Sequence, residues 1–395
     1  MMIQAVLGNP NHPEYGVATI PFPIPRDQYA HCMELLAALE IGDAVKADCK
    51  VEEVDSFFSV LKRAEMLTVN VEELNYLAKR LESFDTGEAA QFQAMAHKLE
   101  LFELKDLINL TFCCQQATVI TDFSDLDAVG RDHYMNLHGG CAKTEELDAL
   151  DSVETARRLI ESGSGTITPY GVVYDNSMEL EQIYDGRFFP CYYYEPNAIT
   201  VAVTSKAEPE DTEHITWLFL PMVQEEIDRA LLRGGITDPS EIRLSLEDSW
   251  FPHEVLDLLD MDHVDISELN ALVQALDEFS DMSIRKYAAA AVMARPHTTE
   301  QAKHLAENLD LFDFAPSAST PEEYGKYMIQ QSGHFDYDEN LDAFYDYEKY
   351  GTERMNAEDG MFTDRGYIAY KGYISMEEVM NGGQSSHMVM GGLSR

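Results

Sequence analysis

VNVEELNYLAKRLESF (Val69–Phe84) lies without a gap on VDISELNALVQALDEF (Val264–Phe279), 195 residues further along the chain. Each copy spaces large apolar residues at helical intervals: Leu74, Leu77, Leu81 and Phe84 in the first, Leu269, Leu272, Leu276 and Phe279 in the second. Each also opens with a residue that caps a helix, Asn70 or Asp265, followed three residues later by Glu73 or Glu268. The spacing predicts one amphipathic helix, written twice.

Outward from these helices the two halves keep step. The offset of 195 carries Gly130 onto Gly325 and Gly171 onto Gly366, and one residue fewer carries LDAL (Leu147–Leu150) onto LDAF (Leu341–Phe344). The β-patterned IQAVL at Ile3 matches ITVAV at Ile199, and a proline-entered amphipathic helix follows in each half (Pro25–Leu39 and Pro221–Leu232). Each half runs from a strand-and-helix segment through a helical segment to a mixed segment that ends in strands, GVVY at Gly171 or GYIAY at Gly366. This order predicts an α+β fold of small modules in two tandem copies. The expected boundaries are 1–195 (modules of about 1–60, 61–115 and 116–180) and 196–375 (about 196–256, 257–312 and 313–375). A flexible tail is expected over 376–395, where NGGQSS and a further GG occur.

The 395 residues include 71 acidic and 28 basic ones, for a formal net charge of -43. Both halves share the excess, with 33 acidic and 14 basic residues in 1–195 and 38 and 14 in 196–395. Disorder is excluded, because 45% of residues are hydrophobic and 10% aromatic, enough for sizeable cores. A halophile's solvated surface is the bland alternative. Such a field repels nucleic acid and anionic membrane and attracts basic surfaces such as DNA-binding grooves. The opening MMIQAVLGNPNHPEYG lacks a basic stretch followed by an apolar core, and no long apolar run occurs, so a cytoplasmic protein is expected. Six cysteines without a CxxC read as reduced thiols.

Catalytic and metal motifs are missing. Asp336, Asp338, Asn340 and Asp342 imitate the start of a calcium loop, but Leu341 stands where the glycine belongs and Tyr347 where the bidentate glutamate belongs. His133, His138 and Cys141 form at most a partial metal set, and satisfied histidines are the default. GSGTITPYG (Gly163–Gly171) lacks the lysine of a phosphate loop. No enzyme, metal or cofactor is expected.

Carboxylates are concentrated in two places. Glu241–Asp281 holds 12 acidic residues and one basic one, Arg243, and a second run is FDYDENLDAFYDYEKYG (Phe335–Gly351). Duplex DNA carries one charge per roughly 1.7 Å of axis, so 71 carboxylates match on the order of 35 base pairs one for one. Tyrosines alternating with acids in YDYEKY (Tyr345–Tyr350) would hold carboxylates on a semi-rigid face.

These segments resemble the ArdA antirestriction proteins found on mobile elements of bacteria. The resemblance is carried by the helices Glu73–Phe84 and Glu268–Phe279, by EEYGKYMI (Glu322–Ile329), and by GHFDYDENLDAFYDYEKYG (Gly333–Gly351) followed by GYIAY. It covers almost all of the second half and the first half more loosely, which reads DSVETAR (Asp151–Arg157) where YDYEKYG would fall. The resemblance implies an elongated, three-module DNA mimic that acts as a dimer and fills the DNA groove of a type I restriction–modification enzyme, at its methyltransferase and specificity core. Two fused units would make a pseudo-dimer, with further homodimer formation left open, and neither nucleic acid nor membrane is bound directly. The carboxylates expected to meet the partner are Glu247, Asp248, Glu254, Asp257, Asp260, Asp262, Asp265, Asp277, Glu278 and Asp281 in the first run. Asp336, Asp338, Glu339, Asp342, Asp346 and Glu348 are those of the second. The alternative is a general acidic scaffold or chaperone for basic DNA-binding proteins, without DNA-shaped geometry.

Overall fold

A computed structural model describes residues 3–192, 197–207, 214–261, 263–316 and 318–383. The fold is α+β, built of small antiparallel sheets and short helices. The chain divides into two compact units. One comprises Met1–Glu195, Asp211–Trp217 and Val223–Thr237; the other comprises Pro196–Glu210, Leu218–Met222 and Asp238–Arg395.

The first unit begins with a four-stranded sheet in the order Val17–Phe22, Ile3–Gly8, Cys49–Asp55, Thr68–Val69. Ile3, Ala5 and Leu7 alternate into the core, the period of two that a half-covered strand requires. The helix expected from Pro25 starts later: Arg26–Gln28 is a 3₁₀ turn, and the α-helix is Tyr29–Ala38, burying Tyr29, Cys32, Met33 and Leu36. The helix Val71–Glu82 follows, capped by Asn70, whose side chain accepts from the Glu73 N–H. Leu74, Leu77 and Leu81 are all buried, each contributing about 1.5–3 kcal/mol by leaving water. Thr86–Lys98 opens with a reciprocal capping box between Asp85 and Glu88. The unit continues into a sheet ordered Thr118–Ile120, Gly171–Tyr174, Thr166–Thr168. The helices Leu126–Leu137 and Ser152–Glu161 contribute Val129, Ala156 and Leu159 to a core with Ile120 and Tyr174.

The same order recurs from residue 199. The sheet Ile242–Ser249, Ile199–Ser205, Thr216–Leu220 again has its earliest strand in the middle. In the second unit Ile266–Asp277 is capped by Asp265 and buries Leu269, Leu272 and Leu276. The later sheet is ordered Phe312–Pro316, Gly366–Tyr370, Asp359–Thr363, with Gly366–Tyr370 central as Gly171–Tyr174 is. Helix starts keep the offset of 195 throughout: Tyr29 and Gln224, Val71 and Ile266, Leu126 and Pro321, Ser152 and Tyr347. Thr144–Ala149 and Glu339–Phe344 keep it too, so the shorter offset read from LDAL and LDAF is not followed by the backbone. A buried asparagine recurs with them. Ile24 N–H donates to Asn75 at 2.8 Å, and Met222 N–H donates to Asn270 at 2.9 Å.

Two further features depart from the sequence reading. The helix Gln224–Arg233 belongs to the first unit, although it follows the first two strands of the second half. It is held there by arginines. Arg229 pairs with Glu72 at 2.6 Å, and Arg233, buried, donates to the carbonyls of Ala44, Arg187 and Gly186, to Asn70 and to the Tyr184 hydroxyl. Second, the tail expected from residue 376 opens as a helix, Met376–Met380, capped by Ser375, with Val379 and Met380 buried. Residues 384–395 lie outside the described residues.

Candidate acidic interface

The first acidic run starts on a strand that loses its inner face. Ile242 and Leu244 are buried, but beyond Leu246 the ladder slips: Leu246 opposes Val201 and Asp248 opposes Thr200, leaving Glu247 as the bulged residue. Glu247 and Asp248 are exposed there. Phe251, Val255 and Leu259 then anchor the chain and leave Asp257 and Asp260 outside, with Asp260 holding the His263 ring at 2.8 Å. Glu254 differs from its neighbours. Arg365 grips it with two donors at 2.6 and 3.2 Å; burial pushes its carboxyl pKa up, and the arginine outweighs that, so the net shift is downward. Its charge is spent inside the unit. Asp262 lies outside the described residues.

Helix ends order the next carboxylates. Asp265 accepts from the N–H groups of Ser267 and Glu268, where a negative group suits the helix dipole. Asp277 and Glu278 sit at the opposite end, and no basic residue occupies that last turn. The first unit's matching helix ends with Lys79 and Arg80. Two exposed carboxylates at the negative end of a dipole work against the helix by about 0.3–1 kcal/mol each. Asp281, exposed, begins the next helix, Asp281–Ala294.

In the second run, side chains fix a carboxylate in place. Asp342 accepts from Tyr337 Oη at 2.7 Å, Tyr347 Oη at 2.5 Å and Gln330 Nε2 at 2.9 Å. The hydrogen bonds from Tyr347 and then Tyr337 hold its pKa below the usual aspartate value, helped by Gln330 and the Lys326 charge. Asp338 and Asp346 cap the 3₁₀ helix Glu339–Phe344 and the α-helix Tyr347–Ala357. Asp336, Asp338, Glu339, Asp346 and Glu348 are all exposed. The clamp of Gln330, Tyr337 and Tyr347 was only partly visible beforehand, in the alternation of tyrosine and acid. The exposure of Leu341 and Phe344, in a segment that reads as an apolar helix pattern, had no sequence signal.

The histidines of the partial metal set go separate ways. His133 Nδ1 lies 2.9 Å from Thr118 Oγ1, and His138 Nδ1 lies 2.7 Å from the Tyr134 carbonyl of its own helix. Among the described residues, no three His, Cys, Asp or Glu side chains are grouped to hold a metal ion. Among them, too, no helix is long and apolar enough to cross a membrane.

Residues 212–369 match the sequence profile of the antirestriction protein (ArdA) family. Through this segment, about two-fifths of its length, the chain is similar to the ArdA family. No curated protein matches it. All sixteen carboxylates named from the sequence fall inside the ArdA segment, as does the helix Gln224–Arg233. The family that this segment resembles is one of antirestriction proteins.

Proposed function

We propose that this protein is an antirestriction protein of the ArdA kind, a non-catalytic DNA mimic that fills the DNA-binding groove of a type I restriction–modification enzyme, at its methyltransferase and specificity core. The observation that carries the reading is the series of exposed carboxylates along the segment that matches the ArdA profile, among them Glu247, Asp248, Asp257, Asp338, Glu339 and Glu348. Charge left open to water along this segment supports a role in attracting a basic partner. A net charge of -43 gives that attraction range and directs it to cationic grooves. We further propose that the halves are tandem copies of one unit, a reading supported by the recurrent sheet orders and the common offset of helix starts.

The test is competition. A purified type I methyltransferase holding fluorescent duplex DNA should release it as the protein is added, and excess DNA should restore the complex. Affinity should fall steeply with salt, since the groove exchanges its ions for carboxylates. Inhibition unchanged at saturating DNA, or a flat salt titration, would refute the mimic.

A further inference from the structure

The segment that carries the densest charge of the second unit also carries its most exposed phenylalanine. Phe344 is 84% exposed and Leu341 47%. Both lie in the 3₁₀ helix Glu339–Phe344, three residues apart, where side chains eclipse and share one face. The backbone beneath is held still. Gln330, Tyr337 and Tyr347 all bond to Asp342, between the two apolar residues, and the rings of Tyr337, Tyr345 and Tyr347 lie side by side at 5.8–6.0 Å. An apolar pair on a fixed face, open to water, is costly unless something covers it.

Charge decides what covers it. Asp336–Glu348 holds six carboxylates and no lysine or arginine. A second copy would bring the same negative ring against this one, and like charges facing each other are strongly disfavoured. The matching stretch of the first unit keeps acids but has no anchor: Glu146 stands for Leu341 and Ala149 for Phe344. We infer that Leu341 and Phe344 form an apolar anchor that inserts into a recess within the basic DNA groove of the restriction–modification enzyme, and that this anchor makes the second unit the tighter-binding one.

The inference rests on the proposed function and adds a short-range contact to it. Charges steer and set the salt dependence, whereas a buried aromatic at the centre of an interface sets the dissociation rate. Binding of the full-length protein to a purified type I methyltransferase is measured against salt for wild type, Phe344→Ala, Leu341→Ala/Phe344→Ala and Phe344→Leu. Phe344→Ala should raise Kd about tenfold or more, through faster dissociation, with the slope of log Kd against log salt unchanged. Phe344→Leu should recover most of the loss. Equal melting temperatures would show that the exposed substitutions leave the fold intact. An affinity within twofold of wild type for the double variant overturns the anchor and leaves the charge-based function standing. A wild-type dimer that Phe344→Ala dissociates at unchanged enzyme affinity also overturns it, assigning the face to self-association. Failure of the wild type to bind the methyltransferase removes the proposed function and the anchor with it.

Discussion

The backbone of Gly325 lies against the carbonyl oxygen of Tyr347, so closely that a Cβ at this position would overlap it. Gly351, one turn further along the second helix, is in the same position toward the Pro321 carbonyl. The helices Pro321–Gln330 and Tyr347–Ala357 therefore cross backbone to backbone, which explains the glycine that ends YDYEKYG. In the first unit Gly130 meets the Ser152 carbonyl in the same way, and Ala156 occupies the place of Gly351. Gly325→Ala should cost about 1–3 kcal/mol through overpacking, because backbone cannot rotate aside as a side chain can. Gly87→Ala is the control, since its Cβ would meet only the end of the Asp85 side chain and alanine favours a helix. Equal melting temperatures for the two variants would contradict the crossing.

Arg233 is expected to hold the first unit together from a position deep in the second half of the sequence. Its side chain donates to Ala44, Asn70, Arg187, Gly186 and Tyr184 and lies 3.6 Å from Glu73. Arg233→Met keeps the length and removes every donor. Losing one partner of a buried pair costs about 3–5 kcal/mol. Amide exchange should accelerate around residues 42–46, 70–73 and 184–187. Acceleration confined to residues 238–383 would show that the helix Gln224–Arg233 does not stabilise the first unit.

What was legible in the sequence was local. The caps Asn70 and Asp265 act within one turn, and the leucine spacing of both helices needs no partner to be read. The strands at Gly171 and Gly366 announced themselves for the same reason. Gly325 was visible as a landmark of the repeat, but its purpose depends on Tyr347, far enough along the chain that no pattern links them. Arg233 reads as an ordinary basic end to an amphipathic helix, and its burial depends on residues some 160 positions earlier. Glu254 was indistinguishable from its acidic neighbours until Arg365 came into place beside it. Phe344 closes LDAF, a pattern that suggests a buried helix face, and it is instead the most exposed phenylalanine in its segment.

The Asp342 clamp predicts a pH dependence of definite sign. Its folded pKa lies below the usual aspartate value because Tyr347, Tyr337 and Gln330 bond to the ionised form. A depressed carboxylate contributes stability that is present above the unfolded-state pKa and lost as pH falls through the folded one. The loss should therefore occur on the acid side of normal aspartate titration. Carbon-detected NMR titration should place the Asp342 midpoint below the usual aspartate value. Tyr337→Phe and Tyr347→Phe should each move its midpoint upward. A midpoint unmoved in both variants would mean that the tyrosines do not hold the carboxylate.

Carboxylates that meet a groove across solvent should act as a population, and their substitution by asparagine separates charge from structure. Asp346 caps Tyr347–Ala357 and Asp265 caps Ile266–Asp277. Asparagine caps as well as aspartate does, so Asp346→Asn removes charge and leaves the helix start intact. Alone it should weaken enzyme binding by less than about fivefold, the scale of one exposed charge pair. Asp257, Asp260, Asp262 and Asp265 changed together to asparagine should weaken it far more and flatten the salt slope, because four released counterions are lost from the exchange. Glu254→Gln should behave differently. Its carboxylate already serves Arg365, so the variant should lose thermal stability while the salt slope of binding stays near that of wild type. Competition titrations over a range of salt, paired with melting curves, read both quantities from the same samples. A single asparagine substitution that abolished binding in a folded protein would place the interaction at one point, and the distributed electrostatic account would then be wrong.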